Sequence, residues 1–141
     1  MTTEQLDRIR WLNRAFHTEK AAKAWLAKLE RDRSLAERIS RGLSSGGGST
    51  GNSTEDALIR LADTERETQQ RLRELVAIRE EITQAIAAVD DYDMQAILVR
   101  HYLAYETFEL IAEKMHYNER TVRRKHLAAI DKIVLECPVE M

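Results

Sequence analysis

The stretch Thr107–Arg124, TFELIAEKMHYNERTVRR, reads as two short helices around a tight turn. In the first, Phe108, Ile111, Ala112 and Met115 recur at i, i+3, i+4, i+7, which places an apolar stripe on one helical face. Thr107 stands where a side-chain oxygen would cap that helix, and Asn118 stands in the same place before the next. Beyond Asn118, Val122, His126, Ala129, Ile130 and Ile133 point one way. Arg120, Thr121, Arg123, Arg124 and Lys125 cover the remaining surface. Ala112 is small enough to let the two helices cross closely. This pattern predicts a helix-turn-helix, whose second helix would offer polar side chains to the DNA major groove.

Upstream, the segment Gly42–Ser53, GLSSGGGSTGNS, is a low-complexity tract expected to act as a flexible linker. A long helix is expected on either side. The first runs from about Thr3 to Arg41, with Trp11, Leu12, Ala15, Ala22, Trp25, Leu26, Leu29, Ala36, Ile39 and Leu43 along one drifting face. Arg38 and Arg41 suit its negative end, and Gly42 would stop it. The second runs from about Glu55 to Val89, opened by a capping box of Ser53 and Asp56. Leu58, Leu61, Glu65, Thr68, Leu72, Leu75, Arg79, Ile82, Ile86 and Val89 alternate three and four apart, as in a coiled-coil seam. Similar length and opposite charge argue for an antiparallel hairpin.

Asp90–Asp91 closes the second helix and would cap a third, about Asp93–Leu103, with Met94, Ile97, Leu98 and Tyr102 inward. No segment alternates as a strand does. The expected fold is all-α: residues 1–90 form the hairpin, with the linker at 42–53, and residues 91–136 form a three-helix domain containing the helix-turn-helix. Residues 137–141 are a tail.

Composition narrows the function. The net charge of −2 gives no bulk attraction to nucleic acid, yet Arg120–Lys132 holds five bases and one acid. The basic charge is therefore local, as a docking helix requires. Cys137 has no partner within the chain, no signal peptide is visible and no stretch approaches a membrane span, so a cytoplasmic protein away from the membrane is expected. His17, His101, His116 and His126 show no ligand spacing, and no metal or cofactor is expected. His126 is expected to pack on the inner face of the last helix. No nucleophile–base pair, phosphate loop or paired-carboxylate signature appears, so binding rather than catalysis is expected.

Leu98-x-x-His101-Tyr102-Leu103, Thr107-Phe108-Glu109-x-Ile111-Ala112 and Tyr117-Asn118-Glu119-Arg120-x-Val122 together resemble region 4 of bacterial sigma factors. The layout is similar to that of phage-encoded regulators with a sigma-region-4-like domain, the ArpU/RinA-like group of Gram-positive phages and prophages. The specific motif covers about residues 94–133. The resemblance implies sequence-specific promoter binding and control of late or packaging genes. Three residues depart from the pattern: Tyr105 stands where a turn glycine is usual, His116 replaces the commonest turn residue, and Lys125 occupies a position that is commonly apolar.

The expected partner is double-stranded DNA, met by Arg120, Thr121, Arg123 and Arg124 in the groove and by Asn118 and Lys125 at phosphates. The hairpin seam is buried either within one chain or between two, with a homodimer favoured. RNA polymerase is a further candidate partner. The rival expectation is a helical adaptor whose sigma-like domain grips RNA polymerase or another protein without reading DNA.

Overall fold

A computed structural model describes residues 1–44 and 51–135 of the 141-residue chain. It is all-α. Helices α1 (Thr3–Leu12) and α2 (Arg14–Ser44) pack antiparallel against α3 (Gly51–Ala87). The shorter α4 (Tyr92–Leu98), α5 (Phe108–Met115) and α6 (Glu119–Lys132) follow and pack together. Among the described residues, no helix is long and apolar enough to cross a membrane.

The expected first helix is divided at Asn13. There the Asn13 N–H still bonds the Ile9 carbonyl at 2.9 Å, and the Trp11 carbonyl accepts from the Arg14 Nε at 3.1 Å. The helix starts at Thr3 as expected, capped by Thr2, which exchanges hydrogen bonds with Gln5 in a full capping box. Two expectations about the linker are corrected. Gly42 does not stop α2, which continues to Ser44, and α3 begins at Gly51, so Ser53 lies inside the helix instead of capping it. Composition marks a tract that need not pack, but it does not forbid a helix from running into the tract's ends. Residues 45–50 of the linker, and the tail with Cys137, lie outside the described residues.

The chain divides into two compact units. Residues 1–17 and 76–135 form the first, so its core crosses the 90/91 boundary drawn from sequence. Leu12, Ala15, Ile82, Ile86 and Val89 from the base of the hairpin are buried with Leu98, Tyr102, Ala129, Ile130 and Ile133. A second cluster joins Ile97, Ile111, Ala112 and Val122, with Phe108, Met115 and Tyr117 packed at its edge. Burying each of the larger aliphatic side chains is worth about 1.5–3 kcal/mol. The Gln5 amide meets Asp131 at 2.8 Å, and Arg8 reaches the Ile130 and Asp131 carbonyls at 3.5 and 3.4 Å. The Arg8 cation thus serves the electronegative C-terminal end of α6.

Residues 18–75 form the second unit, two antiparallel helical arms. Its seam differs from the expected one. Thr68, Ala22 and Ala36 are buried as expected, but Leu58 and Glu65 are exposed, while their neighbours Ala57 and Thr64 are buried. Leu26, placed on the inner face by sequence, is also largely exposed. Small side chains let the two backbones approach, and Thr64 satisfies its hydroxyl there by donating to Asp32 at 2.6 Å and accepting from Lys28 at 3.0 Å.

Candidate nucleic-acid interface

Each helix of the helix-turn-helix begins on a side-chain cap. The Asp91 carboxylate accepts the Met94 N–H at 3.0 Å, the Thr107 hydroxyl accepts that of Leu110 at 3.2 Å, and the Asn118 amide oxygen accepts that of Thr121 at 2.8 Å. Three otherwise orphaned backbone donors are thereby satisfied, which fixes where α4, α5 and α6 start. After Leu98 the chain widens into a π-helical turn, Val99–Leu103, closed by the Ala104 N–H on the Val99 carbonyl at 3.0 Å.

Among the described residues, two that are not glycine take left-handed backbone: Tyr105 at φ 60° and His116 at φ 62°. His116 ends α5 and lets the chain turn into Tyr117 and Asn118. Tyr105 precedes Glu106, whose carboxylate takes Arg100 at 3.2 Å and Lys114 at 3.0 Å. The hydrogen bond from Lys114 leads in holding that carboxyl below its usual range, with Arg100 adding to it. The Glu106 carbonyl bonds His101 Nδ1 at 2.8 Å, so one residue ties the turn to both flanking helices.

Beneath α6 lies an aromatic stack. His101 is parallel to Phe108 at 4.2 Å, His126 tilts onto Phe108 at 4.8 Å, and the Arg123 guanidinium covers Phe108 at 4.9 Å. Burial pushes the His126 imidazole down to about 4, with lesser contributions from His101 and Arg123. His101 is also lowered, chiefly by burial. Both rings are therefore neutral near pH 7.

The expected site residues occupy one surface but do not stand alike. Val122, His126, Ala129 and Ile130 anchor the inner face of α6, and Arg120, Arg123 and Arg124 are exposed on the other side. Among the described residues, neither Arg120 nor Arg124 has an ion-pair partner. Arg123 does: Nε and a terminal nitrogen hold Glu119 at 2.8 and 2.6 Å, an i, i+4 clasp. Thr121 is half-buried behind the cap, and the Asn118 oxygen is occupied by capping. Lys125 leans back, 3.7 Å from Asp93 and 5.4 Å above the Tyr117 ring, while the Tyr117 hydroxyl also donates to Asp93.

Sequence reasoning missed the stack and the Lys125–Asp93–Tyr117 cluster. The first joins residues from three elements and leaves no periodic trace. The Arg123–Glu119 clasp, by contrast, was present in the spacing. Among the described residues no group of three His, Cys, Asp or Glu is placed to hold a metal ion. Compared with known protein families, curated proteins and solved structures, the chain matches none.

Proposed function

We propose that this chain is a cytoplasmic, sequence-specific DNA-binding transcriptional regulator that docks α6 in the major groove. The single observation carrying this reading is the polarity of α6. Its inner face is seated on the core by Val122, His126, Ala129 and Ile130, and its opposite face offers exposed Arg120, Arg123 and Arg124 in the first two turns after a capped start. Groove-reading helices use those N-terminal turns for base edges. Arginine suits the work, since its planar fork bonds guanine O6 and N7 together or clamps phosphate. The sigma-region-4 resemblance supports a role at promoters, and the ArpU/RinA-like layout supports a phage or prophage origin with late or packaging genes as targets. The mechanism is binding and recruitment rather than chemistry.

Arg120 and Arg124 are the leading contacts, because neither must release a carboxylate first. Thr121 backs them, and Asn118 keeps its amide N–H groups for phosphate. Lys125 reaches DNA only by leaving Asp93.

The Glu119–Arg123 clasp favours a second reading, in which the domain grips RNA polymerase or another protein and leaves DNA unread. An arginine already neutralised on its own helix suits a protein surface better than a polyanion. The test is titration of promoter-length duplexes at two salt concentrations, with and without polymerase, for the parent, Arg120→Ala and Arg124→Ala. Steep salt dependence and weaker binding by folded variants support the regulator. Unchanged binding by both, with capture only through polymerase, supports the adaptor.

A further inference from the structure

The second unit, residues 18–75, has a core too thin for its length. Among its described residues only Ala22, Ala36, Ala57, Thr64 and Thr68 are buried, and no leucine, isoleucine or valine is. Alanine and threonine bury little apolar area, so this seam contributes far less than a leucine seam would. Leu26, Leu29, Leu58, Leu61 and Leu72 are present but lie to one side.

The two flanks of the seam differ. On one, Lys28, Asp32 and Thr64 bond one another at 2.6–3.0 Å, Arg71 holds Glu67 at 2.9 Å, and Lys28 and Arg71 each lie 5.9 Å over Trp25. That flank is closed by its own ion pairs. The other is an open apolar groove. At one end it is lined by Ala36, Leu58 and Leu61, and at the other by Leu26, Leu29 and Leu72. Leu58 is 52% exposed and Leu26 42%. Between the two ends Arg33 faces Glu65 across the groove at 3.7 Å.

We infer that this groove is the face on which a second copy of the chain packs, making a four-helix bundle about a twofold axis that runs along the groove, parallel to the helices. The arrangement of the groove specifies its occupant. A twofold interface sets the same patch against itself, so that residue i meets j and j meets i. An axis along the groove sets each arm of one copy on the opposite arm of the other, so the Leu58–Leu61 end meets its own counterpart and the Leu26–Leu72 end meets its own. It also brings Arg33 of each copy to Glu65 of its mate, turning one ion pair into a closed ring of four charges. Bases and acids alternate along the groove, with Arg33, Arg41 and Arg66 against Glu37 and Glu65, so it complements itself better than a uniformly charged partner. The four-helix arrangement supplies the leucine layer that the alanine–threonine seam lacks.

The inference is independent of DNA reading, although two copies would bring the two modules that tight binding by small domains calls for. Sedimentation equilibrium of the full chain tests it. The parent should sediment at twice 16.3 kDa at micromolar concentration. Leu58→Gln and Leu26→Gln replace side chains already half in water, so each should stay helical by circular dichroism while self-association weakens by about tenfold or more. Leu35→Gln, exposed but lining neither end of the groove, is the matched control and should stay dimeric. Arg33→Glu should loosen the dimer, and the exchange Arg33→Glu with Glu65→Arg should restore it. A monomeric parent at tens of micromolar overturns the inference. So does a dimer that survives both leucine changes. If the leucine variants unfold, the charge exchange decides: failure of the swapped chain to regain the parent's association overturns it equally.

Discussion

The Tyr102 hydroxyl lies 2.7 Å from His126 Nε2, and both residues are buried, at 2% and 7% exposure. The bond joins the π-helical turn after α4 to the middle of α6, so it fixes the candidate reading helix against the core. Either tautomer keeps it: the phenol donates to a bare Nε2, or Nε2–H donates to the phenol oxygen. Burial raises the Tyr102 hydroxyl well above its ordinary range and lowers the imidazole, so both partners stay neutral near pH 7. Tyr102→Phe keeps the ring and strands the imidazole nitrogen. The expected cost is about 1–3 kcal/mol, read as a lower denaturant midpoint at an unchanged slope. A midpoint equal to the parent's would mean that water replaces the hydroxyl without penalty.

The same histidine makes stability depend on pH. With its folded value near 4 against 6.5 for the free side chain, the unfolded chain binds the extra proton between those limits. Stability is therefore full above about pH 6.5 and falls as pH drops toward 4, by at most about 1.4 kcal/mol per unit for one proton. His101, lowered chiefly by burial, acts in the same direction, and Arg123 opposes a positive charge on either ring. Glu106 and Asp32, both held below their usual range by lysine partners, withdraw stability at still lower pH. Urea midpoints at pH 7.5, 6 and 5 should decline in order, and His126→Gln should flatten the decline above pH 5. A flat parent profile across that range would place the imidazole in water.

The two left-handed residues should respond oppositely to glycine. His116 is exposed, and its value to the turn is its backbone, so His116→Gly should stabilise the fold by about 1 kcal/mol. Tyr105 has the same strain, but its hydroxyl accepts from Arg79 at 2.9 Å and its ring meets Phe16 edge-on at 5.5 Å. Tyr105→Gly relieves the backbone and loses both contacts, with a net loss expected. Thermal melting of the two variants side by side checks the contrast. Equal shifts of the same sign would mean that Tyr105 serves only as a turn residue.

How far the fold was legible follows from which signals are periodic. Ile111, Val122, Ala129 and Ile130 repeat with the helical turn, and Thr107 and Asn118 sit directly before such runs, so α5, α6 and their caps could be read from sequence. The seam of residues 18–75 was legible only in part: Ala22, Ala36 and Thr68 lie on the expected lines and are buried, but the leucine pattern also marks Leu58, which is exposed. The arms instead close on Ala57 and Thr64, whose small side chains permit the approach, and leave Leu58 outside. The site was legible as a basic patch but not as a set of unequal arginines, since the placement of Phe108 beneath Arg123 depends on the turn that precedes α5.

That inequality gives the last prediction. Arg123 is held by Glu119 and stacked on Phe108, so in the free protein its guanidinium is ordered but its charge is locally cancelled. Glu119 itself stands in the first turn of α6, where a carboxylate is favourable to the helix dipole and unfavourable to an approaching phosphate. Glu119→Gln keeps the side-chain length, removes the acid and releases Arg123. If α6 reads DNA, the variant should bind all duplexes more tightly, and its dependence on salt should steepen by about one ion. Preference between cognate and scrambled sequence should shift only if Arg123 then reaches a base edge, where a bidentate contact is worth about 1–3 kcal/mol. Arg123→Ala separates the two roles, since it loses the Phe108 stack as well as the charge. A fall in melting temperature without a fall in affinity would make Arg123 a support for the aromatic stack. Glu119→Gln that leaves both affinity and salt slope at the parent's values would remove α6 from the DNA interface, and the polymerase-gripping reading would take its place.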